Sequence, residues 1–82
     1  VRAALHALGP VRGRTVLDAG CGTGLTTRRL AGRCGSLAAL DASVASLDVL
    51  KRDTTARDVL AVRGDLLHLP FAAGTFDRVL CA

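Results

Sequence analysis

Tryptophan, tyrosine and methionine are absent from this sequence, and two phenylalanines, Phe71 and Phe76, are its only aromatic residues. The net charge of +4 is carried almost entirely by scattered arginines, of which only Arg28 and Arg29 are adjacent. Without aromatic platforms or a basic cluster, these charges do not make a nucleic-acid surface, and solvated helix faces account for them. No apolar run approaches the roughly 20 residues that span a bilayer. The opening VRAALHALGP lacks the long apolar stretch and small-residue cleavage site of a secretory signal. The three cysteines, Cys21, Cys34 and Cys81, are odd in number and have no CxxC spacing. They argue against a disulfide scaffold and a structural zinc site, and they fit a reducing cytoplasm. Repeats, linkers and low-complexity segments are also missing.

What remains is a chain of 82 residues, half of them hydrophobic, which is enough for one small domain with a marginal core. VRAALHAL places Val1, Ala4, Leu5 and Leu8 at helical spacing, and Gly9-Pro10 ends that leading helix over residues 1–9. RTVLDAG reads as a buried strand. LTTRRLAGRCG reads as a short helix that begins near Thr23, with Leu25 and Leu30 inward. SLAALD makes a second strand. SVASLDVLKRD makes a second helix of this core, capped by Ser43 and lined on one face by Val44, Leu47 and Leu50. DVLAVRGD and FDRVLCA are a third and a fourth strand. Between them, residues 65–76 contain Pro70 and Gly74 and read as a loop crossover. Alternating apolar strands and helices imply a parallel α/β sheet with helices on its faces. Such a sheet ending at its fourth strand has exposed edges. With no initial Met, the expectation is the front half of a larger domain, its motif-bearing core at residues 14–82.

The chemistry concentrates in VLDAGCGTG, where Gly20, Gly22 and Gly24 alternate between the first strand and its helix. In an open α/β sheet, ligands bind at the carboxyl ends of the strands. Glycines there permit positive φ and let backbone N–H groups approach a ligand. A dinucleotide fingerprint, GxGxxG, needs a small third residue, yet a pattern begun at Gly20 finds Leu25 and one begun at Gly22 finds Thr27. The pattern present is DxGxGxG. A carboxylate at Asp18 repels a pyrophosphate and suits a ligand carrying an ammonium or sulfonium group. Asp41, ending the second strand, can accept both hydroxyls of a ribose or can cap the next helix. Asp65, ending the third, can accept from the exocyclic amine of an adenine, beside the Leu66 N–H as a donor to a ring nitrogen. Its alternative is an ordinary turn residue. Three carboxylates and a glycine turn on one rim suit a ligand with an amine, a ribose and an adenine, as in S-adenosyl-L-methionine.

VLDAGCGTG, LAALDAS and VRGDLLHLPFAAGTFDRVLCA together resemble the class I S-adenosylmethionine-dependent methyltransferases, in the branch of the ubiquinone and menaquinone C-methyltransferases and many small-molecule methylating enzymes. The resemblance covers residues 14–82. It implies a Rossmann-like sheet with helices on both faces, strands one to four of a seven-stranded fold ordered 3-2-1-4-5-7-6. By the same resemblance, Asp18, Gly20 and Gly22 surround the methionine end of the cofactor, and the backbone of Gly20 and Cys21 faces its amino-acid portion. Asp41 holds the ribose, Asp65 the adenine amine and Leu66 the adenine ring nitrogen, while backbone near Cys81 closes over the sulfonium. The partner implied is a small-molecule methyl acceptor; the scattered arginines separately disfavour nucleic acid, and no apolar run is long enough for a membrane span. The half of the family fold that carries acceptor-binding residues lies beyond strand four. No residue here is a persuasive base, whether His6 on a helix surface or His68 in the loop after Asp65. Cytosine-5 methyltransferases carry a nucleophilic cysteine after the fourth strand with a proline beside it. VLCA has no proline, so Cys81 reads as a strand cysteine. The other readings are a non-catalytic cofactor-binding module, a nicotinamide-dependent dehydrogenase (disfavoured by Leu25 and Asp18) and an aminopropyltransferase.

Overall fold

The structure, a computed structural model, describes residues 11–53 and 58–81. The leading helix expected over residues 1–9 lies outside them. The described elements are β1 (Thr15–Ala19), α1 (Leu25–Leu30), β2 (Ser36–Asp41), α2 (Val44–Lys51), β3 (Leu60–Arg63) and β4 (Arg78–Cys81). They form a four-stranded sheet in the order β3-β2-β1-β4, with every pairing parallel. The central strands β1 and β2 carry near-continuous apolar runs because both of their faces are covered.

The path of the chain decides what covers each face. β1, β2 and β3 step in one direction across the sheet, so right-handed crossovers put α1 and α2 on the same face. There Val16, Leu37 and Leu80 pack with Leu30 of α1, and Ala39 packs with Leu50 of α2. The return from β3 to β4 reverses the direction, and the same handedness sends this connection over the opposite face. It contains no helix, as the sequence suggests. Phe71 and Phe76 instead cover Leu17, Ala19, Ala38 and Leu40, with their rings edge to face at a centroid distance of 4.8 Å. Asp77 ties the end of the connection to the start of β1. Its carboxylate accepts from the Thr15 N–H at 2.9 Å, and its own N–H donates to the Thr15 carbonyl at 2.8 Å.

Two expectations about helix faces fail. Leu25 is 51% exposed, and Thr26 and Thr27 are buried with Leu30 instead. α1 starts at Leu25 rather than near Thr23, launched by Gly24 at φ 95°, and that launch sets the phase of a helix with fewer than two turns. Val44, the first residue of α2, is likewise 49% exposed, while Leu47 and Leu50 face the core. The expected cap does form: Ser43 Oγ accepts from the Ser46 N–H at 3.2 Å.

Candidate functional site

Parallel register carries the ends of all four strands to one rim. Ala19, the last residue of β1, lies beside Leu40 of β2 and Cys81 of β4. Since β4 returns to the other side of β1, the glycine turn leaves the sheet where the strand order reverses.

Gly20 and Gly22 adopt left-handed conformations, with φ 77° and 57°. The direction of the turn's donors differs from expectation. The N–H groups of Gly20 and Cys21 both donate to the Leu40 carbonyl, at 2.7 and 3.0 Å, and the Gly24 N–H donates to the Cys21 carbonyl at 3.0 Å. The Gly22 N–H donates to Asp41 Oδ2 at 2.8 Å. With these four donors turned inward and a carboxylate bonded into the loop, the turn is a poor cradle for pyrophosphate. The glycines serve different ends. A side chain at Gly22 would meet open space, whereas one at Gly24 would run into Leu50 of α2.

Asp18 is 1% exposed, beneath the turn. Its Oδ2 accepts from Thr27 Oγ1 at 2.6 Å. Burial pushes the Asp18 carboxyl above its ordinary value, and the Thr27 hydrogen bond opposes that shift. Cys21 lies half-buried in the turn, and its thiol donates to the Gly22 carbonyl at 3.5 Å. Burial, then the negative charges of Asp18 and Asp41, push this thiol up to about 11, which keeps it protonated and unreactive at neutral pH.

Asp41 sits between the turn and α2. Oδ1 accepts from the Ser43 N–H at 2.9 Å, and Oδ2 holds Gly22. An ionised carboxylate offers about four lone-pair sites, so two remain for a ligand. Beyond Asp41, a hollow of about 390 Å³ opens among Ala42, Arg63, Gly64 and Asp65. Asp65 lies two residues past the end of β3. Its Oδ1 accepts from the Leu67 N–H at 2.9 Å, and His68 Nδ1 stands 3.3 Å from its Oδ2. The Leu66 side chain reaches back over the turn, so that a side chain at Gly20 would come within 3.5 Å of it.

Asp18, Gly20, Cys21, Gly22, Asp41, Asp65, Leu66 and Cys81 therefore occupy one rim, with Cys81 exposed at its edge. Neither Thr27 nor the pairing of His68 with Asp65 was evident in the sequence. A threonine nine residues after Asp18 was the available signal, obscured by the expectation that Leu25 faces inward.

A family model described as a methyltransferase domain matches residues 16–82. The chain belongs to that family. It is of the class I S-adenosylmethionine-dependent type, and it is 50% identical over 70 residues to the cypemycin N-terminal methyltransferase of a Streptomyces species, a match covering 85% of this chain and 28% of that protein. It is 40% identical over 78 residues to the demethylmenaquinone methyltransferase of Renibacterium salmoninarum, covering 95% of this chain and 32% of that protein. Geranyl diphosphate methyltransferase, solved in complex with SAM, superimposes with a TM-score of 0.78 at 30% identity, over 92% of this chain and 33% of that one. The chain thus spans about a third of the length of these relatives. Among the described residues no helix is long and apolar enough to cross a membrane.

Proposed function

We propose that this chain supplies the cofactor-binding half of an enzyme that transfers a methyl group from S-adenosyl-L-methionine to a small-molecule acceptor. The observation that carries the reading is the rim itself: three strand-end carboxylates around a glycine turn whose own donors point inward. Such a rim attracts an ammonium and a sulfonium and accepts from hydroxyls and amines. The cofactor brings a methyl group already activated on a sulfonium, so the protein's main task is to hold two reactants in line.

In this reading Asp18 sets a negative charge beneath the amino-acid end of the ligand, with the backbone of Gly20, Cys21 and Gly22 around it. The two unused lone-pair sites of Asp41 take the ribose hydroxyls. The hollow beside Ala42 receives the adenine, with Asp65 accepting from its amine and the Leu66 N–H donating to its ring. Backbone near Cys81 borders the sulfonium. No catalytic base is assigned among these residues.

An amide NMR titration with S-adenosylhomocysteine and, separately, NAD tests the reading. Binding of the first alone, with amide shifts at Gly20, Asp41 and Asp65, is the expected result. Binding of NAD instead would overturn it. The 50% identity to an N-terminal methyltransferase favours a second reading for the acceptor, an amino terminus. Mass spectrometry of products from a peptide amine and from a demethylated quinol offered side by side separates the two.

A further inference from the structure

We infer that Thr27 is a positioning residue for the cofactor: its hydroxyl orients the Asp18 carboxylate toward the ligand's ammonium, and it does not act on the nucleoside end. The inference rests on the S-adenosylmethionine reading above.

Thr27 is fully buried and Asp18 nearly so, and the 2.6 Å bond between them is a short, charge-assisted one. A threonine inside a helix ordinarily returns its hydroxyl to the carbonyl four residues back. For Thr27 that acceptor is the Thr23 carbonyl, which receives Arg28 Nη1 at 3.0 Å. Thr27 instead reaches across from α1 to β1. By taking Oδ2, it fixes the carboxylate plane and leaves the lone pairs of Oδ1 for a further donor.

A purely structural role does not need this pair. The register neighbours of Asp18 are Ala39 and Leu80, and apolar residues at positions 18 and 27 would fill the same space without burying a charge. The negative charge is useful where it acts, under the turn. The Cys21 thiol lies in that turn, pushed up by burial first and then by the negative charge of Asp18, followed by that of Asp41. The groups assigned to the ribose and adenine, Asp41 and Asp65, have their own partners in Gly22, Ser43, Leu67 and His68. Loss of the Thr27 hydroxyl should therefore discriminate between the two ends of one ligand.

The test compares S-adenosylhomocysteine with 5′-methylthioadenosine, which keeps the adenine and ribose but lacks the ammonium and carboxylate. Calorimetry on the parent protein and on Thr27→Val should show S-adenosylhomocysteine weakened about tenfold, as for a lost bond to a charged group, and 5′-methylthioadenosine changed by less than about twofold. Thr27→Ser should restore the parent values. Equal weakening of both ligands, or of neither, overturns the inference. If thermal melts show that Thr27→Val does not fold, Asp18→Asn with and without Thr27→Val decides instead, since that background buries no charge. The preference for S-adenosylhomocysteine should then be lost already in Asp18→Asn, and Thr27→Val should add nothing. A further selective loss would mean that the hydroxyl acts without Asp18 and would also overturn the inference. If the parent binds neither ligand, it is the cofactor reading that falls, and the Thr27 role falls with it.

Discussion

At the tips of β1 and β2 the site is buried or half-buried and cross-linked, whereas along the β3–β4 connection it is exposed and held by neighbours in sequence. Asp18 and Asp41 accept hydrogen bonds from Thr27 and Gly22, nine and 19 positions away. Asp65 takes its own from Leu67 and His68, two and three positions on, and Leu67 stands 85% exposed beside it. The first arrangement is ordered by folding itself, so a ligand arriving there meets groups already in place. The second is held by contacts within a short loop, whose conformational entropy a ligand there would have to overcome.

The largest effect is expected at Gly24, on the cross-linked side. Gly24→Ala forces a side chain into the left-handed region and into Leu50. A loss of about 2–4 kcal/mol is expected from the combined backbone and overpacking costs, measured by urea unfolding. A change below half a kilocalorie per mole would mean that α1 and α2 are not locked together at this point.

Next in size is the contrast between Asp41 and Asp65. Asp41→Ala removes two internal hydrogen bonds and the proposed ribose acceptors together, so S-adenosylhomocysteine affinity should fall about a hundredfold, with stability about 1 kcal/mol lower. Asp65→Ala should weaken the same ligand by about tenfold or less and leave stability within about 0.5 kcal/mol. Equal stability losses at the two positions would erase the distinction between the two ends of the site.

A smaller effect is expected in the response to pH. The Asp18 carboxyl is raised by burial, so the folded protein keeps this proton at pH values where the unfolded chain has released it. The Asp18 contribution to stability is therefore most favourable below the ordinary carboxylate range and declines as pH rises through the raised value. Asp77 has the opposite sign: its hydrogen bond from the Thr15 backbone, with Arg14 and Arg78 nearby, holds it below its ordinary value. Its contribution is present above the ordinary carboxylate range and is lost as pH falls through the lowered value. Asp18→Asn should remove the decline and leave the protein more stable than the parent near neutrality, while abolishing the preference for ligands with an ammonium. Chemical denaturation at pH 4 and at pH 7 checks this, and an unchanged difference between the two would contradict it.

Smallest is the difference in thiol reactivity. Iodoacetamide at neutral pH should modify exposed Cys81 well before Cys21, whose thiol is pushed up to about 11. Mass spectrometry of partly alkylated protein gives the order, and prior labelling at Cys21 would show that the turn opens.

Much of this was legible in the chain before its structure. Apolar runs of strand length separated by helical patterns lead to a parallel sheet, and aspartates at the ends of three runs fall on one rim because parallel strands share a direction. The motif-bearing residues singled out from spacing all lie there. The orientation of α1 was not legible: six residues are too few for a periodic pattern to select a face, and Leu25 misleads by its hydrophobicity alone. Nor was the direction of the turn's N–H groups, since DxGxGxG marks where the backbone is free to bend and not where it bends.

The sequence by itself determined the order of strands and helices, the glycine turn and the rim positions of Asp18, Asp41 and Asp65, because these depend on local periodicity and on where each strand stops. Only the tertiary structure decided that Thr27 meets Asp18, that the turn's donors face Leu40 and Asp41, and that Leu66 closes over Gly20. Each of those contacts joins different segments of the chain, and which atoms meet depends on how the segments pack around a shared core.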